Sequence, residues 1–294
     1  MSDPIIKLSL GLQGHRGARG LFPENTIEGF RAAMALGVDV IELDVGMTSD
    51  GVVVVSHDLS LNADIARDAS GAWLASAGPA LRDLTFAELA QFDIGRLRPG
   101  SAYAAQFPEQ RPHDGARIPT LADVLRLAPD ARFTVELKSD PRFPGLTESP
   151  SVLADATLAV IDAGDAAHRV YLESFDWRGP RHVRRTRPDI QLAWLTRAET
   201  VRDARLWWDG PIPQDFGGSV PRVVAAEGGP IWAPEHLGLT WDLLDEAHEL
   251  GLLVLPWTVN DPEAMRRLVA WGVDGLITDR PDLWRSISNS GNSP

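Results

Sequence analysis

Residues 38–58 read VDVIELDVGMTSDGVVVVSHD, and how this stretch folds decides the architecture. Two apolar, β-branched runs, VDVIELDV (38–45) and VVVVSHD (52–58), are separated by a short polar segment containing Asp50-Gly51. A parallel crossover needs a dozen or more residues, so the second run is not the next parallel strand. Asp-Gly is a strong two-residue hairpin signal. The second arm is therefore expected as an antiparallel excursion from the first. Counting outward from Asp50-Gly51 sets Ser49 opposite Val52 and Asp44 opposite His57, with Cβ atoms expected about 4.5–5.5 Å apart. Glu42, two positions from Asp44, shares its face. Flanking Ile41, Leu43 and Val45 mark a buried strand, where unpaired carboxylates are costly.

Working outward, similar runs recur along the chain. They are LGLQGH ending at His15, RFTVELK (132–138), RVYLESF (169–175), IQLAWLT (190–196), PIWAP (230–234), LLVLPWTV (252–259) and DGLITD (274–279). Most are continuously apolar, as expected of strands covered on both faces in a parallel sheet. Between them lie segments of helical period, ENTIEGFRAAMALG, TLADVLRLA, SVLADATLAVIDAG, LTWDLLDEAHELG and DPEAMRRLVAWG, several closed by a C-capping Gly. With the hairpin arm set aside, eight parallel strands remain. The expected class is α/β, a TIM (β/α)8 barrel with an antiparallel hairpin excursion after strand 2; an open sheet is the alternative.

Composition narrows the function. With 294 residues, 44% of them hydrophobic, the chain can bury a sizeable core. A net charge of −13, from 41 Asp+Glu against 28 Lys+Arg, argues against wrapping a nucleic-acid backbone. The absence of cysteine excludes disulfides and thiol chemistry, and fits either cytoplasm or periplasm. The opening MSDPIIKLSLGLQG lacks the pattern of a signal peptide, so a cytoplasmic location is expected, or a periplasmic one if a leader has been removed. Nothing approaches the roughly 18 apolar residues of a membrane span, so no stable membrane insertion is expected. Oligomeric state is not legible in the sequence.

Chemistry concentrates at strand ends. In a βα barrel the C-terminal ends of the strands share one mouth. Glu42, Asp44 and Glu136 would gather there, and clustered carboxylates demand a counter-charge. A hard divalent cation is the natural one, with Mg²⁺ or Ca²⁺ favoured over Zn²⁺; an ion pair of Glu136 with Lys138 or Arg16 is the alternative. His15 and Arg16 end the first strand, so they reach the same mouth. Cations beside a metal site repel unless an anion lies between them. Arg16 is suited to a bidentate grip on phosphate, and Lys138 adds a point charge. His15 and His57 can divide proton transfer between base and acid. The combination points to attack on a phosphodiester.

On these residues the chain resembles the glycerophosphodiester phosphodiesterase family, related in fold to bacterial phosphatidylinositol phospholipase C. The matching pieces are HRGARG, PENT, GVDVIELDVGMTSDGVVVVSHD, LRDLTFAEL, IPTLADVL, VELK, SFD, WTVN and GVDGLITDRP, in family order from about residue 13 to 282. The resemblance implies a single TIM-barrel domain over 1–285, with a small insertion at about 58–117 capping the mouth, and a disordered tail at 286–294. It implies that Glu42, Asp44 and Glu136 bind the metal, that His15 is the general base and His57 the general acid, and that Arg16 and Lys138 hold the phosphate. The substrate would be a small glycerophosphodiester, cleaved to sn-glycerol 3-phosphate and an alcohol. The nucleophile would be the substrate's own 2-hydroxyl or a water.

Other residues are read more plainly. Pro23, Asn25 and Thr26 start and cap the first helix. Trp257 either walls the substrate pocket or packs in the core, and Ser174 and Phe175 divide likewise. Asp279 is expected to brace a cation at the mouth or cap the turn before Pro281. Trp207, Trp208 and Trp241 are expected to pack on helices. His113, His168, His182, His236 and His248 read as surface or helix residues. A barrel glycosidase with a carboxylate pair would leave the cations and imidazoles without a role. A non-catalytic binding module, or a lysophospholipase D or sphingomyelinase D-like activity on the same scaffold, are the remaining alternatives; acyl chains would require an apolar groove at the mouth.

Overall fold

In the computed structural model, which describes residues 10–288, the runs read from the sequence become nine strands. They are β1 Gly11–Gly14, β2 Val40–Met47, β3 Val53–Val55, β4 Arg132–Leu137, β5 Val170–Ser174, β6 Gln191–Thr196, β7 Ile231–Pro234, β8 Leu253–Val254 and β9 Gly275–Thr278. Eight of them run parallel in the order β8-β7-β6-β5-β4-β2-β1-β9, and β3 pairs antiparallel with β2 alone. Pro256, which has no N–H, interrupts the last ladder just after β8. The ring is closed there by single backbone bonds: Asp274 N–H donates to Val254 O (3.0 Å), Ile277 to Pro256 O (3.1 Å), and Val259 to Ile277 O (2.9 Å). The protein is a TIM barrel.

The hairpin register departs by one residue from the two-residue-turn expectation. Val45 pairs with Val55, Gly46 with Val54 and Met47 with Val53. Asp44 consequently lies opposite Ser56, whose N–H reaches Asp44 O at 3.0 Å, and not opposite His57. The turn holds three residues, Ser49 to Gly51. Gly51 takes the left-handed conformation (φ 81°), and Thr48 closes the turn by accepting from Val52 N–H and donating to Asp50. His57 still reaches the mouth, because the chain leaves the ladder after Val55.

Alternation along the strands divides the core. Outward-facing Ile41, Leu43, Val45, Phe133, Val135, Leu137 and Leu172 pack beneath the helices. These include Ile27–Leu36, Leu121–Leu127, Pro150–Ala163, Trp241–Glu249 and Pro262–Trp271, all foreseen from their period, and Arg178–Thr186 and Val220–Glu227, which were not. Thr26, Thr120, Ser149, Thr240 and Asp261 cap the first five. Trp207 and Trp208 are buried on a short helix, as expected, whereas Trp241 is half exposed against Trp271. Inside the ring, Ala193, Leu195, Ile231, Ala233, Leu255 and Ile277 form an apolar half. The opposite half, from β1, β2, β4 and β5, is polar: Gln13, Glu42, Asp44, Thr134, Glu136 and Glu173 are all buried.

The 58–117 insertion carries its own small apolar cluster, with Leu61, Ile65, Ala66, Leu89 and Ile94 packed on Val54 of the hairpin and on Ile118. Of the expected tail, residues 286–288 belong instead to a terminal helix, Trp284–Ser288, whose Ile287 is buried. Residues 289–294, like residues 1–9, lie outside the described residues.

Candidate active site

The β1–helix turn GHRG is built by glycine. A Cβ on Gly14 would fall 2.0 Å from Gly17 O, and Gly17 itself has φ 90°. This folds the turn back on itself and leaves Arg16 in the left-handed region at φ 50°, a conformation an L side chain adopts only when neighbours enforce it. Here Arg16 N–H donates to Glu42 Oε2 (2.8 Å), and Arg16 O accepts from Asn25 N–H (3.1 Å). The Arg16 side chain is buried between Glu24 Oε1 (2.8 Å) and Asp44 Oδ2 (3.3 Å). Asn25 does more than begin the helix: its Nδ2 donates to Asp44 Oδ2 at 3.0 Å.

Glu42, Asp44 and Glu136 converge, with one oxygen from each within 4.8 Å of the others. Lys138 Nζ lies 2.8 Å from Glu136 Oε1 and 3.5 Å from Asp44 Oδ1, so the Glu136–Lys138 pair exists as well. The lysine does not satisfy the cluster. Asp44 Oδ1 is buried without a hydrogen-bond partner, and so is Arg16 Nε. Burial, then the charges of Asp44 and Glu173, push the Glu42 carboxyl well up. Burial and Asp44 push Glu136 up to about 7 against the pull of Lys138. Asp44 stays ionised: burial pushes it up, but Arg16, His57 and Lys138 bring it below the usual range. A trio of hard oxygen donors sharing too few protein cations suits a divalent metal.

Each imidazole is held at Nδ1 by a carboxylate. His15 Nδ1 lies 2.6 Å from Asp279 Oδ1, with Nε2 turned 3.8 Å from Glu42. Asp279 is fixed in turn by Arg19 (2.9 and 3.0 Å) and Asn260 (2.7 Å). Asp279 thus braces both a cation and an imidazole. Burial and Arg19 lower the pKa of His15 to about 4, against the pull of Asp279. His57 Nδ1 lies 2.7 Å from Asp58 Oδ1, and Asn62 holds the other Asp58 oxygen at 2.6 Å. His57 is also lowered, by burial and then by Arg16 and Lys138.

These groups open on a cavity of about 270 Å³ lined by His15, Arg16, Glu42, His57 and Glu136 on one side and by Phe175, Leu195 and Trp257 on the other. Glu173, Arg19, Arg197 and Thr258 complete its polar lining. Asp44 and Lys138 stand just behind the wall, touching it through Arg16 and Glu136. Trp257 packs edge-on against Phe175 and donates Nε1–H to Ala233 O (2.9 Å), so it serves both wall and core. Ser174 is structural, donating to Leu137 O. His168 and His248 are exposed, and His113, His182 and His236 likewise lie outside the cavity lining.

Sequence reasoning passed over Arg19, Glu24, Asp58, Glu173 and Arg197. Glu24 and Asp58 lay inside quoted motifs, PENT and SHD, and Glu173 shares the strand face of Phe175. Tyr103, whose hydroxyl donates to Glu24 and accepts from Arg19 (3.4 Å), comes from the insertion and had no local signal.

Fold and cavity define a TIM barrel with a buried acidic floor and a cationic rim, suited to a small anionic substrate. The profile of the Glycerophosphoryl diester phosphodiesterase family matches residues 15–283. The chain is 30% identical over 277 residues to the glycerophosphodiester phosphodiesterase of Bacillus subtilis (strain 168), covering 93% of this chain and 84% of that protein. A solved chain from Silicibacter pomeroyi DSS-3 is 36% identical, with a TM-score of 0.87 over 98% of this chain and 94% of that one. A phosphodiesterase from Oleispira antarctica, solved with its product sn-glycerol-3-phosphate, shares the fold at 20% identity and a TM-score of 0.70, over 95% of this chain and 96% of that one. The chain belongs to the glycerophosphodiester phosphodiesterase family, and is a hydrolase of that class.

Proposed function

We propose that the enzyme cleaves small glycerophosphodiesters, such as glycerophosphocholine and glycerophosphoethanolamine, to sn-glycerol 3-phosphate and an alcohol by histidine acid–base catalysis at a divalent metal, Mg²⁺ or Ca²⁺. The observation that carries the reading is the pair of imidazoles, each oriented by a carboxylate, facing one cavity floored by Glu42 and Glu136. The small-molecule product held by the Oleispira relative supports the substrate class.

Glu42, Asp44 and Glu136 would hold the metal, which as a Lewis acid stabilises charge on a non-bridging phosphate oxygen. Arg16, fixed by Glu24, faces the same anion, and Lys138 adds its charge from behind Glu136. With Nδ1–H donated to Asp279, His15 keeps a free lone pair on Nε2 and is neutral at rest, as a base must be. It takes the proton of the attacking group, either a water, which gives sn-glycerol 3-phosphate directly, or the glycerol 2-hydroxyl, which gives a cyclic phosphate that a water then opens to the same product. His57 gives a proton to the departing alcohol, and Asp58 stabilises its imidazolium. Burial depresses His57 most, then the charges of Arg16 and Lys138, and a bound phosphodiester would offset those two charges. Barrel and insertion act as one unit, joined by Gln110 to Arg19 O and by Arg280 to Glu109.

A second reading, hydrolysis of lysophospholipids, is favoured by one observation. Phe143, Leu206 and Leu237 are exposed on the segments following β4, β6 and β7, at the catalytic end. Among the described residues no helix is long and apolar enough to cross a membrane.

The test is a coupled assay for glycerol 3-phosphate released from glycerophosphocholine, run beside lysophosphatidylcholine. EDTA should abolish release and Mg²⁺ or Ca²⁺ restore it, and His15→Ala and His57→Ala should each lower kcat by about 10²–10⁴-fold. Hydrolysis indifferent to chelation removes the metal, and a histidine variant with normal turnover removes that histidine.

A further inference from the structure

The acidic floor extends one strand further than the metal trio. Asp44 pairs with Glu136 across β2–β4, and Glu136 pairs with Glu173 across β4–β5. Three carboxylates therefore stand side by side in one row of the barrel interior. The row then changes character, passing to Ala193 and Ile231 on β6 and β7. Lys138 serves the first two carboxylates. Among the described residues no cation lies within ion-pair distance of Glu173, which is 1% exposed and whose Oε2 has no hydrogen-bond partner.

A buried, unpaired carboxyl costs the fold a desolvation penalty that an apolar residue of similar size would avoid. Here it also lines the cavity, where the polar floor meets the apolar wall of Phe175, Leu195 and Trp257. The row places it beside Glu136, on the side away from Glu42 and Arg16. A ligand whose phosphate lies at His15, Arg16 and His57 would present its neighbouring atoms to Glu173.

We propose that Glu173 is a specificity-determining residue that hydrogen-bonds the hydroxyls of the glycerol moiety, so that the pocket selects polyol phosphates over phosphates without hydroxyls. The proposal rests on the glycerophosphodiester reading above. A hydroxyl entering the cavity supplies the partner Oε2 lacks, whereas a ligand without one leaves the carboxyl stranded. Sites built in this way reject hydroxyl-free analogues far more strongly than apolar pockets reject a missing methylene.

The test compares sn-glycerol 3-phosphate with inorganic phosphate by isothermal titration, in Mg²⁺ buffer, for wild type, Glu173→Gln and Glu173→Leu. Wild type should prefer glycerol 3-phosphate. Glu173→Leu should bind it about 10–100-fold more weakly while its affinity for phosphate changes less than about threefold, with Glu173→Gln intermediate. Both variants should melt at or above the wild-type temperature, since each removes a buried unpaired carboxyl, so loss of fold is not the cause. Equal weakening for both ligands, unchanged affinity for glycerol 3-phosphate, or a wild type without preference overturns the proposal. Failure of the diesterase reading looks different: Glu173-dependent binding of glycerol 3-phosphate, with none released from glycerophosphocholine. A wild type that binds neither ligand defeats both.

Discussion

His15 and His57 are tethered alike but by unlike carboxylates. Asp279 is buried beneath Arg19 and Asn260, while Asp58 is partly open to solvent at the edge of the insertion. Burial pushes Asp58 up, but its hydrogen bond to His57, the charge of that imidazole and Asn62 outweigh this and bring it down to about 2. An unfolded Asp titrates near 3.9, so the folded value is the lower one. Its contribution to stability is then complete above about pH 4 and fades as pH falls through about 2. Thermal melts should therefore show Asp58→Asn less stable than wild type at about pH 5, with the difference shrinking towards about pH 2. A difference constant across that range would show that the tether carries no such linkage.

At the scale of elements, the insertion reaches the ion pairs of Arg16 through one side chain. Tyr103, from the short helix Ala102–Gln106, donates to Glu24, which holds Arg16, and receives a bond from Arg19. Tyr103→Phe leaves the ring packed on Phe107 and removes the hydroxyl. Losing a hydrogen bond to a charged group costs about 1.5–3 kcal/mol, so kcat/KM for glycerophosphocholine should fall at least about tenfold. Unchanged kcat/KM would mean that Arg16 is held by the barrel alone. The hairpin shows how far an element can be read from sequence. Its existence and antiparallel sense followed from the short connection and from Asp50-Gly51, but its register turned on the Thr48 hydroxyl replacing a backbone acceptor. That exchange lengthened the turn to three residues and moved His57 off the ladder.

At the scale of the whole molecule, the net charge of −13 includes a buried acidic floor that works against folding until a counter-charge arrives. A metal that binds only the folded state should stabilise it by about 2.7 kcal/mol at a hundred times its Kd. Mg²⁺ or Ca²⁺ should accordingly raise the wild-type Tm and EDTA should reverse the rise, with neither shift in Asp44→Asn. An ion-induced shift that survives in Asp44→Asn would place the ion elsewhere.

The sequence by itself determined the number and order of strands, the antiparallel excursion and five of the longer helices, because periodicity, turn chemistry and crossover length are local. It also marked His15, Arg16, Glu42, Asp44, His57 and Glu136 as residues that end strands or share their faces. Only the tertiary structure decided what each of them touches. Asn25 on Asp44, Asp279 behind His15, Tyr103 across from the insertion and Glu173 beside Glu136 come from separate segments of the chain. Those meetings depend on how the ring closes and how neighbouring strands align, which no single segment encodes.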